Sequence, residues 1–247
     1  MSDFIAGFRY GFSGFGLILR PGIRLYVVVP LLINMLLFTG AFIWGAEALN
    51  DLIHWIAGQW SWAEWVAWLL WPIFVVISLT IMFFAFSIFA NLLGAPFNGF
   101  LSAAVERTLS GVDTIEDEAG RGLLAELVEA VRAEGEKFLY FLLRALPLLL
   151  LFLVPLVQAI APVVWFLFGA WMLSLEYLDY PFGNRGLTFP QVRAAVSGRR
   201  GLALGFGVAV FLLTMMPIAN FVAMPVAVAG ATRMWLEKMR APGPVPA

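Results

Sequence analysis

Arg20 and Arg24 flank the turn Pro21-Gly22-Ile23. A guanidinium is a rigid fork of N–H donors that matches the geometry of an oxyanion. A helix starting just after the turn would add free backbone N–H groups and a partial positive charge. Together these parts suit the capture of a small oxyanion at a helix N-terminus. The same arginines would also serve as anchors at a cytoplasmic membrane interface, and the motif by itself favours that second reading.

Other side chains with chemistry are few. Asn34, Asn91, Gln158 and Asn220 interrupt otherwise apolar segments. They are candidates to line a polar path, or to make helix–helix hydrogen bonds. Glu176 and Asp179 stand three residues apart at a helix end, a spacing open to acid–base work but better suited, at an interface with arginines nearby, to structural salt bridges. The chain has no cysteine and one histidine, His54. A thiolate metal site and a cysteine nucleophile are thereby excluded, and no metal, cofactor or catalytic role is expected. No G-x-x-x-x-G-K-[ST] run occurs, so the chain carries no P-loop for ATP. The net charge of −1 carries no nucleic-acid signal, and no such partner is expected.

These residues must be held by membrane elements. Of 247 residues, 62% are hydrophobic and 13% charged, and the mean hydropathy is +0.91. A soluble domain is nearer half apolar and a quarter charged. The expected fold is an all-α integral membrane protein forming a single membrane domain over 1–247. Residues 3–19 place Phe4, Phe8, Phe12 and Phe15 at helical spacing and read as an amphipathic helix, on the membrane plane or packed on the protein's own surface. Residues 25–46 are uncharged, and at 1.5 Å per residue they cover about 33 Å, enough for a hydrocarbon core of about 30 Å. Residues 65–93 form a second uncharged span. Between them, 47–64 is an acidic loop belted by Trp55, Trp60 and Trp62, with Trp65, Trp68 and Trp71 just beyond. Ala95-Pro96-Phe97-Asn98-Gly99 reads as a turn closing the second span. Residues 95–138 then read as a helical hairpin extending both long helices into the cytoplasm, with Asp113-Thr114-Ile115-Glu116 as a capping box and a Leu123–Leu127–Val131 apolar stripe.

Two apolar stretches follow, 138–178 and 201–236. The first is broken at Pro155 and Pro162 and the second at Pro217. Proline removes a helix donor, so each stretch divides into two limbs. The limbs beside Pro217 have about 15 residues, or roughly 22 Å, too short to cross. Each stretch therefore reads as a re-entrant, hemi-penetrating helical hairpin, the alternative being thin, kinked full spans. Broken helix pairs of this kind point to a transport site. All 15 Lys and Arg fall in 1–24, 107–144, 185–200 or 233–240. The positive-inside rule then puts 47–64 outside and both termini in the cytoplasm.

Three segments carry a resemblance. They are Pro21-Gly22-Ile23-Arg24; Ala95-Pro96-Phe97-Asn98-Gly99-Phe100-Leu101 with Val105-Glu106; and Leu175-Glu176-Tyr177-Leu178-Asp179-Tyr180-Pro181. The chain resembles the CysZ-type bacterial sulfate permeases over about residues 5–240. The resemblance implies a multi-pass protein of the inner membrane, usually oligomeric, that imports sulfate for assimilation into cysteine. It also implies two long transmembrane helices with two hemi-penetrating hairpins. The family's sulfate-binding turn maps onto Gly22, Ile23 and Arg24. Where the family often has a second Arg, Leu25 stands here, and Arg20 is the candidate substitute. The competing class is a non-transporting membrane scaffold or biogenesis protein, for which the amphipathic N-terminus and the hairpins would serve anchoring.

Overall fold

A computed structural model describes residues 1–59, 63–111 and 123–240, with the side chains at 34, 56–57, 63–65, 67, 82–96 and 123–131 excepted. Among the described residues every regular element is helical. The helices are α1 (Ser2–Ile18), α2 (Leu25–Ala57), α3 (Ala63–Ser110), α4 (Leu123–Leu150), α5 (Ala161–Gly183), α6 (Phe189–Ser197), α7 (Arg200–Met215) and α8 (Pro217–Met234). The expected tryptophans at 60 and 62 and the 113–116 capping box lie outside the described residues, as do the side chains of Glu64 and of the Leu123–Leu127–Val131 stripe.

The chain divides into two compact units, Leu25–Phe97 and the remainder. In the first unit, α2 and the start of α3 meet through aromatic contacts. Phe74 packs on Phe42 with ring centroids 5.7 Å apart, and Gly45 admits the Phe74 ring edge. Large apolar side chains line the outside of α2, Leu36 and Trp44 among them. Such a surface is costly in water and neutral in hydrocarbon. Among the described residues two helices are long and apolar enough to cross a membrane, Leu25–Trp55 and Ala161–Gly183; a third candidate is the pair α6–α7, which bends by 106°.

Two expectations need correction. The acidic 47–64 segment is helical to Ala57 rather than a loop from residue 47. Residues 95–99 do not form a turn either: α3 runs unbroken through them to Ser110. Pro-Phe-Asn-Gly is a local turn signal, and here tertiary hydrogen bonds overrule it. Asn98 Nδ2 donates to the Tyr180 hydroxyl at 3.3 Å, and Asn184 Nδ2 donates to the Gly99 carbonyl at 3.0 Å.

The second unit is built on close backbone approach. The glycine face of α1 lies against α7 and α8. A Cβ on Gly7 would overlap the Leu202 carbonyl oxygen, and one on Gly14 the Val226 carbonyl oxygen. Small residues let helices pack this tightly where hydrophobic driving force is absent. The Phe side chains of α1 turn the other way, with Phe4 and Phe12 exposed. Proline punctuates the rest. The α4–α5 connection is a 3₁₀ turn, Leu151–Leu153, followed by turns to Ile160. Between α7 and α8, Met216 alone is extended, and Pro217 begins α8. Helix α6 is capped where Gln191 Oε1 accepts the Thr188 N–H at 2.8 Å.

Candidate functional site

The turn between α1 and α2 is shaped by its own sequence. Pro21 has no N–H and cannot continue α1. Gly22 sits at φ +89°, which side chains with a Cβ rarely adopt. The Arg20 carbonyl then accepts two hydrogen bonds, from the N–H groups of Ile23 and Arg24, both at 3.1 Å. The Ile23 side chain is fully buried and pins the turn, while Arg20, Gly22 and Arg24 are exposed around it. Among the described residues no carboxylate pairs with Arg20 or Arg24, and no protein acceptor faces the Gly22 N–H. Nothing stands within 4 Å of a Cβ built on Gly22, so the turn is open on that side. It presents two uncompensated guanidiniums and one free backbone donor at the start of α2. The Ile23 N–H is already engaged inside the turn.

The polar path candidates are distributed along the chain. Asn34 lies in α2 and Asn91 in α3, with side chains outside the described set. Gln158 is exposed in the α4–α5 turn, and Asn220 is exposed in the first turn of α8. Among the described residues no hydrogen bond joins any of them to the Arg20–Arg24 turn.

Three polar joints were not assigned from sequence. Glu106, with only 1% of its surface exposed, pairs with the Arg185 guanidinium and lies 3.6 Å from Arg240 Nη1. Both arginines stack over Trp235, at 5.4 and 5.8 Å from its ring centroid. The clue was available: Glu106 follows a long uncharged run, and a buried acid requires a cation. Nearby, the Ser102 and Thr232 hydroxyls bond at 2.9 Å. At the third joint, Tyr10 reaches Glu237.

Glu176 and Asp179 do form a salt bridge, as their interfacial position suggested, but to a lysine rather than to the arginines nearby. Lys137 Nζ lies 2.6 Å from Asp179, 2.8 Å from Glu134 and 3.8 Å from Glu176. Burial alone would lower its pKa; the Glu176 and Asp179 carboxylates outweigh burial and raise it. A firmly charged lysine in this position ties α4 to α5.

Two of the three segments that carried the resemblance, 95–106 and 175–181, are thus structural neighbours. Asn98, Gly99 and Glu106 of α3 meet Tyr180, Asn184 and Arg185 at the end of α5. The family described as sulfate transporter CysZ/etoposide-induced protein 2.4 matches residues 10–225. The chain belongs to this family. It is similar to the sulfate transporter CysZ of Pectobacterium atrosepticum (strain SCRI 1043), 41% identical over 237 residues, covering 95% of this chain and 86% of that protein.

Proposed function

We propose that this chain is a sulfate permease of the bacterial inner membrane, supplying sulfate for assimilation into cysteine. The similarity to a protein named sulfate transporter, along almost the whole chain, carries the reading. The turn geometry supports it. Sulfate is a dianion, and Arg20, Arg24 and the Gly22 N–H offer it charge and donors without a competing internal carboxylate. Arg24 and Gly22 are the primary contacts, Ile23 holds the turn in shape, and Arg20 takes the place of the second arginine. Asn34, Asn91, Gln158 and Asn220 supply polar lining further along the path.

On this reading the α4–α5 and α7–α8 hairpins enter the membrane without crossing it. The apolar part of α5, Ala161 to Leu175, has about 15 residues and reaches roughly 22 Å before Glu176. Helix α7 has 16 residues and α8 has 18, each short of a core of about 30 Å. Both termini face the cytoplasm, and the exposed apolar faces meet lipid or further copies in a homo-oligomer.

Radiolabelled sulfate uptake into proteoliposomes tests the function. Protein-dependent, saturable uptake is expected. Absence of uptake by correctly folded, reconstituted protein would leave the scaffold class standing instead. A cysteine placed at Gln158 tests the topology: an impermeant reagent outside should not label it, whereas a cysteine at Glu64 should be labelled.

A further inference from the structure

Arg144 is the single charge between Phe138 and Leu175. It sits in the apolar half of α4, about 10 Å along the helix from Lys137. A charge there needs a partner or a route back to the interface. Helical side chains lean toward the N-terminus, and Arg144 follows that direction onto the residue one turn earlier. Its guanidinium lies 3.8 Å from the ring centroid of Tyr140. Arg193 of α6 approaches the same ring at 5.2 Å.

The ring is fixed in place. Tyr140 is 8% exposed, its hydroxyl accepts the Trp171 indole N–H at 3.0 Å, and Phe189 packs edge-on at 5.7 Å. Two guanidiniums therefore lie against one well-packed ring. Among the described residues neither meets a carboxylate, and neither donates a hydrogen bond to protein. Two cations sharing one ring without an acid call for an anion from outside the chain.

The surroundings say which anion. Leu139, Leu143, Leu146 and Leu150 form an exposed apolar stripe on α4 beside Arg144. The stripe is about 16 Å long, close to the roughly 15 Å depth of one leaflet's hydrocarbon. We propose that Arg144 and Arg193 hold the phosphate of an anionic phospholipid at the Tyr140 platform, with its acyl chains along this leucine stripe. A free inorganic oxyanion would make no use of the leucines. Basic pockets between membrane helices are established sites for anionic headgroups. The proposal rests on the chain lying in a membrane and not on its carrying sulfate.

The test is native mass spectrometry of the detergent-solubilised full chain, titrated with palmitoyl-oleoyl phosphatidylglycerol or the matching phosphatidylcholine. Phosphatidylglycerol should bind about tenfold better or more. Arg144→Gln with Arg193→Gln should abolish the preference, while Arg199→Gln with Arg200→Gln should keep it. Equal binding of the two lipids, or a preference surviving in the Arg144/Arg193 variant, overturns the proposal. If the double variant does not fold, Arg193→Gln alone should weaken phosphatidylglycerol binding several-fold, and unchanged binding overturns it. Millimolar sulfate should leave the lipid bound; displacement that depends on the same two arginines makes this an inorganic oxyanion site and removes the lipid. No flux measurement enters, so the outcome is independent of sulfate transport.

Discussion

The Tyr10 hydroxyl donates to Glu237 Oε2 across 2.6 Å, joining α1 to the π-helical turn Trp235–Met239 that follows α8. Arg233 Nε reaches the other carboxylate oxygen at 2.8 Å. Partial burial and then the Glu237 carboxylate push the Tyr10 hydroxyl up to about 12. Burial alone would raise Glu237; the hydrogen bonds from Tyr10 and Arg233 outweigh it and lower its pKa.

The pH dependence of this link follows from those directions. The Glu237 contribution is complete above the ordinary carboxylate value, near pH 4.3, and fades as pH falls through the lowered folded value. The Tyr10 contribution is complete below about pH 10 and fades as pH rises through the raised one. Tyr10→Phe should therefore lower the melting temperature by about 2 °C near neutral pH. The gap to wild type should narrow as pH falls through the lowered Glu237 value. A gap of the same size at acid pH would assign the effect to packing.

Gly14→Val should be strongly damaging, because Gly14 is buried against α8. The new side chain has to occupy the space of the Val226 carbonyl, and overpacking of this kind costs about 1–3 kcal/mol or more. Loss of the monodisperse peak in size-exclusion chromatography, or a melting temperature lower by several degrees, is the expected result. Gly16→Ala, where nothing lies within 4 Å, is the matched control and should leave both measurements unchanged.

Glu106→Ala leaves Arg185 and Arg240 facing each other without their acid. Breaking a buried pair on one side costs about 3–5 kcal/mol. The lower end applies here, because the two arginines keep 31% and 34% of their side-chain surface exposed. Adding Arg185→Ala should recover part of the loss, since contacting residues couple non-additively. Thermal unfolding of the single and double variants measures that coupling; simple additivity would sink the pairing as a stabilising unit.

Arg24→Ala should weaken sulfate binding roughly ten- to a hundredfold. A hydrogen bond to a charged group contributes about 1.5–3 kcal/mol net, at about 1.4 kcal/mol per decade. Arg24→Lys keeps the charge but not the fork and should fall between. Gly22→Val should also weaken binding, because φ +89° is strained for a branched residue. Sulfate titration by calorimetry separates this from an anchoring role, under which affinity stays the same and only insertion changes.

Asn220→Leu should lower sulfate flux per folded molecule while leaving folded yield near wild type. The side chain is exposed at the start of α8 and has no described protein partner to lose. Flux per molecule equal to wild type would reduce Asn220 to a surface residue.

The all-helical membrane character was legible in composition alone, because long uncharged runs leave few other ways to satisfy a backbone in lipid. Pairings between distant helices were not. Glu176 and Asp179 announced a salt bridge by their spacing, yet Lys137 was identifiable as the partner only once α4 lay beside α5. Glu106 and Arg185 stand 79 residues apart, and local patterning carries no information on such a match. The 95–99 segment misled for the same reason: a turn signal four residues long was outweighed by the hydrogen bonds from Asn98 to the Tyr180 hydroxyl and from Asn184 to the Gly99 carbonyl. Of the cationic turn, the residue types were readable, and so was its glycine. That Ile23 is its buried pin, with the N–H spent on Arg20, required coordinates.

The seating of α1 on α7 and α8 sets an order of assembly. Helix α1 is translated first, but its glycine face is shaped for backbone near residues 202–226. Its native contacts therefore close a loop of nearly the whole chain, the slowest kind to form. Helix α1 can complete these contacts only once α7 and α8 have been made. A chain cut before α8 would leave the Gly14 face of this seventeen-residue helix without its Val226 counterpart.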